Sequence, residues 1–130
     1  LFFALNEKLA GLMKDFSEYS VQLEEIHHTH KKDAPSGTAI SLAEGIIKND
    51  KRFDAWKLEE TQNKNLGIFA LREDEVPGTH SVYYRSEVDE IEIKHTAYNR
   101  NGFALGAVVA AEWIIGKTGD FTMNDVLFSK

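Results

Sequence analysis

A chain of 130 residues, 42% of them apolar, has material for one hydrophobic core and not for two. Its 15 basic residues against 21 acidic ones leave a net charge of −6, which repels a phosphate backbone or an anionic membrane surface and argues against nucleic-acid and membrane partners. The lack of any cysteine excludes disulfides, thiolate metal sites and cysteine nucleophiles and fits a cytoplasmic location, and no apolar run reaches the ~18 residues of a bilayer span.

In chain order, Phe2, Leu5, Leu9, Leu12, Met13 and Phe16 recur at three and four residues, which predicts an amphipathic helix with one buried stripe. The helix is expected to begin before Leu1, and without an initiator Met the chain reads as part of something longer. Tyr19, Val21 and Leu23 alternate with polar residues, the period of a half-buried strand, and this strand leads into three histidines and two lysines within residues 27–32. From Thr38, the residues Ala39, Ile40, Leu42, Ala43, Ile46 and Ile47 return to helical spacing and stop at Lys48-Asn49-Asp50. The polar stretch from Lys51 to Asn65, with Phe53, Trp56 and Leu58 as isolated anchors, is expected to be a connection with a short helix.

Leu66 to Leu71 is a short apolar run, followed by turn chemistry at Val76-Pro77-Gly78-Thr79. His80 to Arg85 and Ile91 to His95 read as two strands of a hairpin. A long helix starts near Asn101 or Gly102 and carries Phe103, Leu105, Val108, Val109, Trp113 and Ile114. Thr122 to Asp125 has the spacing of a capping box before a short final helix. The pattern predicts an α+β fold, a mixed and mostly antiparallel sheet flanked by helices.

Chemistry concentrates between Glu25 and Ala39. If the strand continued through the histidines, His28 and His30 would face one side while His27, Thr29 and Lys31 faced the other. Pro35 ends the strand, Gly37 permits an unusual backbone shape, and Ser36 or Thr38 caps the next helix, whose free amides attract an anion. With Lys31 and an imidazole that exchanges protons near neutrality, such a turn suits a small acid. Two imidazoles on one strand face are also a metal-ligand spacing, but without thiolates and with Asp33 as the nearest carboxylate no metal is expected. Ser36 lacks the frame of a hydrolase nucleophile, and Gly116-Lys117-Thr118 lacks that of a phosphate loop.

The run of Glu25, His27, Lys31, Asp33, Pro35, Ser36, Gly37, Thr38 and Ala39, at these spacings, resembles the signature of the dihydrodipicolinate reductase family, also called 4-hydroxy-tetrahydrodipicolinate reductases. A second block, with His95, Ala97, Arg100, Phe103, Ala104, Gly106 and Ala107, is similar to the family's lead into its last long helix. One departure lies upstream, where Gln22 and Leu23 stand in place of an acidic residue and Ile or Val. The resemblance implies a two-domain enzyme of lysine and diaminopimelate biosynthesis. Residues 1–130 would form its C-terminal substrate-binding and oligomerisation domain, with the sheet used to assemble a homotetramer.

NADH or NADPH would sit on an N-terminal dinucleotide-binding domain, since this chain has no Gly-x-Gly-x-x-Gly turn and no cofactor-binding residues of its own. The resemblance makes His27 and Lys31 catalytic and His28, Gly37 and Thr38 substrate contacts. Ser36 and Arg100 are added as substrate-binding residues, Arg100 as a cation for a second carboxylate. The substrate would be a cyclic dicarboxylate imine, and this fragment alone would not turn over. The competing readings are a non-catalytic oligomerisation domain and a His-cluster metal-binding module. A diaminopimelate dehydrogenase shares the pathway but not the His-Lys-Pro-Ser-Gly-Thr signature.

Overall fold

A computed structural model describes residues 1–129 as two units, Leu1–Tyr98 and the residues from Asn99 onward. In the first unit, α1 (Phe2–Met13) precedes β1 (Ser20–His27), α2 (Gly37–Asn49), β2 (Ala55–Leu58), β3 (Asn65–Arg72), β4 (Gly78–Arg85) and β5 (Glu90–Ala97). The strands form one sheet in the order β2-β3-β1-β4-β5. β1 and β2 each pair with β3 in parallel, while β4 pairs antiparallel with both β1 and β5. The sheet is mixed as expected, and its antiparallel share lies in the longer ladders.

Period-two alternation decides which side chains meet the helices. On β1, Val21 and Leu23 point inward, beside Leu66 and Ile68 of β3 and Val82 and Tyr84 of β4. Ala39, Leu42, Ala43 and Ile46 of α2 close this layer, with Ala10 and Met13 of α1. The predicted stripe on α1 holds at Met13, which is buried, and at Phe2 and Leu9, which pack against the core, but it is rotated elsewhere: Leu5, Leu12 and Phe16 are exposed while Asn6 and Ala10 are buried. The reason is close packing on α2. Asn6 donates from Nδ2 to the carbonyl of Leu42 at 2.9 Å, and a Cβ on Gly45 would stand 3.3 Å from that same nitrogen. A small residue on α2 thus draws in a polar residue that hydropathy alone places outside.

The stretch from Lys51 to Asn65 holds a strand and not the expected short helix. β2 pairs Trp56 with Leu66, and Trp56 and Phe53 pack against the core. The chain then reverses through Glu59, Asn63 and Lys64, all at positive φ (55°, 56° and 60°) without glycine. Gly67 lies under this reversal: a Cβ there would stand 2.6 Å from Thr61 Cγ2. The predicted turn at Val76 to Thr79 also shifts, since β4 starts at Gly78, whose φ of 158° is close to extended, and the left-handed residue is Glu75 at 64°.

The second unit holds α3 (Asn101–Trp113) and α4 (Met123–Phe128). The capping box forms as read, with the Thr122 amide donating to Asp125 Oδ2 at 2.7 Å. Phe103, Leu105, Val108 and Val109 of α3 are exposed.

Candidate functional site

The site lies where β1 ends. Glu25 and His27 share the inward face of β1 with Val21 and Leu23, so strand geometry buries two polar side chains at the end of an apolar row. Register supplies their neighbours: Glu25 stands opposite His80 on β4, and His27 opposite Arg72 on β3. α2 then returns to the same place, because the Ser36 amide donates to both oxygens of Glu25 at 3.1 Å.

Glu25 is fully buried, and a buried carboxylate persists only with partners. Besides Ser36, both terminal nitrogens of Arg72 donate to Oε1 at 3.4 Å, while Oε2 lies 3.2 Å from His27 Nδ1 and 3.7 Å from His80 Nε2. Ser36 Oγ stands 3.1 Å from His80 Nε2 and accepts from the Ala39 amide at 3.2 Å, capping α2. The rings of His27 and His80 meet edge to face at 5.0 Å.

Burial works to raise the Glu25 carboxyl, but hydrogen bonds from His80 and Ser36 and the nearby His27 overcome it and hold the group at about 2. His27 is pushed below its ordinary value chiefly by burial, with His80, Lys31 and Arg72 adding to the push and Glu25 opposing it. His27 Nδ1 is sealed from solvent and within ion-pair range of Glu25 but poorly aligned for a hydrogen bond. The 10% of the side chain that stays exposed therefore belongs to the rest of the ring, whose Nε2 faces Gly78, where a Cβ would stand 3.1 Å away.

β1 stops at His27, so the residues beyond it do not alternate as a strand. His28 is half-buried and His30 exposed, their rings 6.2 Å apart, and neither joins the buried cluster. Lys31 pairs with Asp33 at 2.8 Å. Arg72 Nη2 donates to the Asp33 carbonyl at 2.6 Å, and Thr29 donates to Asp74 at 2.8 Å, fastening the loop to β3 and the turn after it. Ser36 is turned inward and buried, whereas Gly37 is exposed and Thr38 half-buried at the start of α2. Among the described residues the amides of Gly37 and Thr38 have no acceptor. Arg100 is exposed and belongs to the second unit.

Three members of the cluster carry no functional role in the sequence alone: Glu25 stands in the signature unassigned, His80 only as the start of a strand, and Arg72 is not singled out. Only strand register, across 47 residues in the case of Arg72, brings them together. The convergence also differs from the His27, His28 and His30 set that raised the metal reading. Donor atoms of Glu25, His27 and His80 lie within 4.8 Å of one another, but Arg72 and the Ser36 amide already engage that carboxylate.

Comparison with known proteins follows the same lines. The family model described as dihydrodipicolinate reductase, C-terminus, matches residues 1–127. A 4-hydroxy-tetrahydrodipicolinate reductase of Christiangramia forsetii is 56% identical over 127 residues, covering 98% of this chain and 53% of that protein. One of Aquifex aeolicus is 42% identical over 132 residues, covering 98% of this chain and 49% of its own. The chain thus spans about half the length of the curated relatives it matches. In structure it is similar to a dipicolinate-bound dihydrodipicolinate reductase from Paenisporosarcina sp. TG-14, with a TM-score of 0.65 and 23% identity over 87% of this chain and 46% of that one, a likeness of fold.

Proposed function

The chain belongs to the family of the dihydrodipicolinate reductase C-terminal domain, and from that premise we propose that it is the substrate-binding and proton-delivering half of an NAD(P)H-dependent reductase. The reaction would convert 4-hydroxy-tetrahydrodipicolinate to tetrahydrodipicolinate in lysine and diaminopimelate biosynthesis. One observation carries the reading: the acceptor-free amides of Gly37 and Thr38 begin the helix that Ser36 ties to Glu25, beside His27.

In this reading Lys31 and the Gly37 and Thr38 amides hold one carboxylate of the substrate, as a helix start and an ammonium favour an anion. His28 is a further substrate contact. His27 supplies the proton, because an imidazole can give and take one in the physiological range and its Nε2 lies on the ring edge that faces Gly78, away from the sealed Nδ1. Lys31 is its catalytic partner, and Ser36 serves from behind. The five-stranded mixed sheet contains no glycine-rich strand-to-helix turn for a dinucleotide, so NADH or NADPH, which supplies the hydride, is assigned to a part of the protein outside residues 1–130. No described helix is long and apolar enough to cross a membrane. A cytoplasmic homotetramer assembled through the sheet completes the proposal, and sedimentation of the full-length protein tests the assembly.

The decisive experiment uses the full-length protein. His27→Gln and Lys31→Ala are expected to lower reductase kcat by roughly 10²- to 10⁴-fold, the range of general acid catalysis. Dipicolinate should compete with substrate in the unmutated protein. Unchanged turnover in both variants rejects the assignment.

A further inference from the structure

We propose that Glu25 is a positioning residue for His27: held rigidly by Arg72, Ser36 and His80, its carboxylate fixes the ring with hydrogen on Nδ1 and turns Nε2 to the substrate. This rests on the reading above, in which His27 delivers the proton.

Geometry carries the inference. His27 Nδ1 is sealed from solvent and lies 3.2 Å from Glu25 Oε2, within ion-pair range although not aligned as a hydrogen bond. A ring nitrogen so enclosed beside a carboxylate keeps its proton, which leaves the second nitrogen as the one that gains and loses protons. That second nitrogen, Nε2, lies on the opposite ring edge, which faces Gly78, in a side chain that keeps 10% exposure. The proton step then balances within the ring: Nε2–H goes to the substrate, and the imidazolium relaxes to the neutral Nδ1–H form facing Glu25.

The carboxylate must stay put and stay ionised. The Ser36 amide reaches both its oxygens at 3.1 Å, and Arg72 holds Oε1 from β3 with two donors at 3.4 Å. The remaining imidazole, His80, is occupied by Ser36 Oγ at 3.1 Å and so does not displace His27 from Oε2. Charged or titratable groups bearing on His27 are therefore Glu25 on β1, Arg72 on β3, His80 on β4 and Lys31 on the loop. Of these only Glu25 favours its protonated form. None of the three supports is adjacent to His27 in sequence, and all are buried or half-buried.

The test is made on full-length protein carrying Glu25→Gln. This change keeps the acceptor for Ser36 and removes the charge. The pH profile of kcat/KM is expected to shift its descending limb to lower pH, and kcat to fall roughly 10²-fold or more, the share of a misplaced general acid. Binding of dipicolinate should change less than about threefold, since no substrate contact is lost. Nitrogen-15 NMR of the unmutated protein above the His27 transition should show the Nδ1–H tautomer, a measurement that does not depend on the variant folding.

An Nε2–H tautomer overturns the proposal, as does stoichiometric zinc bound through Glu25, His27 and His80 in the purified protein. So does a Glu25→Gln protein whose activity per folded molecule and pH profile are unmoved while His27→Gln is inactive. If His27→Gln is itself fully active, the functional reading fails first, and the two failures are told apart.

Discussion

Two carboxylates of this chain, Glu25 and Asp50, are completely buried, and each sits beside an arginine. Asp50 closes α2 and is clamped by Arg52, two residues on. Arg52 Nε reaches both its oxygens at 3.0 to 3.1 Å, Nη2 donates at 2.7 Å, and Nη1 turns to the carbonyls of Phe16 and Tyr19. Glu25 has a looser grip on its arginine, at 3.4 Å, and fills its remaining valence with an amide and two imidazoles. A guanidinium does not release protons in a protein, whereas an imidazole does so near neutrality. The same buried charge is thus braced by a fixed cation at one end of the sheet and ringed at the other by imidazoles, groups that are able to exchange protons.

The largest test of this contrast is Asp50→Ala. Removing one partner of a buried pair leaves Arg52 uncompensated and should cost about 3 to 5 kcal/mol, nearer the low end because the Arg52 side chain keeps 24% exposure. Urea unfolding measures it, and dipicolinate affinity per folded molecule should not change. A stable variant with lost affinity would erase the distinction.

Acid titration probes the other end. The Glu25 carboxyl sits at about 2 against 4.5 when unfolded, so between these values the unfolded chain binds more protons than the folded one. Stability is therefore fully present above pH 4.5 and is lost as pH falls toward 2, by up to roughly 3 kcal/mol. His27, lowered from 6.5, works in the same direction and begins to erode stability as pH drops through that value. Unfolding series from pH 7 to pH 3 should slope in the unmutated protein and lose, in Glu25→Gln, the part of the slope that lies below pH 4.5.

A smaller effect is expected of Gly78→Ala. Its methyl would press within 3.1 Å of His27 Nε2, an overpacking of about 1 to 2 kcal/mol, with turnover in the full-length protein falling more than stability does. Smallest of all is Tyr84→Phe near the Asp50 clamp. The Tyr84 hydroxyl is buried without a partner, and burial pushes its ionisation up, so deleting it should leave thermal stability unchanged or raise it by less than about 1 kcal/mol. A marked loss would reveal an acceptor within the brace.

Elements with a strong period were legible before any coordinates. α2, β1, β4 and the capping box of α4 stand where apolar spacing and turn chemistry put them. β2 escaped because its closing reversal uses Glu59, Asn63 and Lys64 at positive φ, where a reader looks for glycine. The face of α1 was legible at Phe2, Leu9 and Met13 but not at Leu5, because Gly45 let Asn6 approach α2 in its place. On α3 the apolar row predicted a helix correctly, yet such a row reports hydrophobicity and not what covers it. The site was half visible: His27, Lys31, Gly37 and Thr38 lie in one contiguous motif, whereas Arg72 and His80 reach Glu25 only through the pairing of three strands, which no local pattern encodes.

Arg72 bridges two things that could otherwise drift separately, the Glu25 carboxylate and the Asp33 carbonyl of the loop bearing Lys31. Because its donors lie in one rigid plane, a tug on that loop tilts the same plane against the carboxylate. In the proposed reading, docking and protonation in this corner would be mechanically geared: a substrate seated on the loop would be felt, through one flat ion, by the histidine underneath.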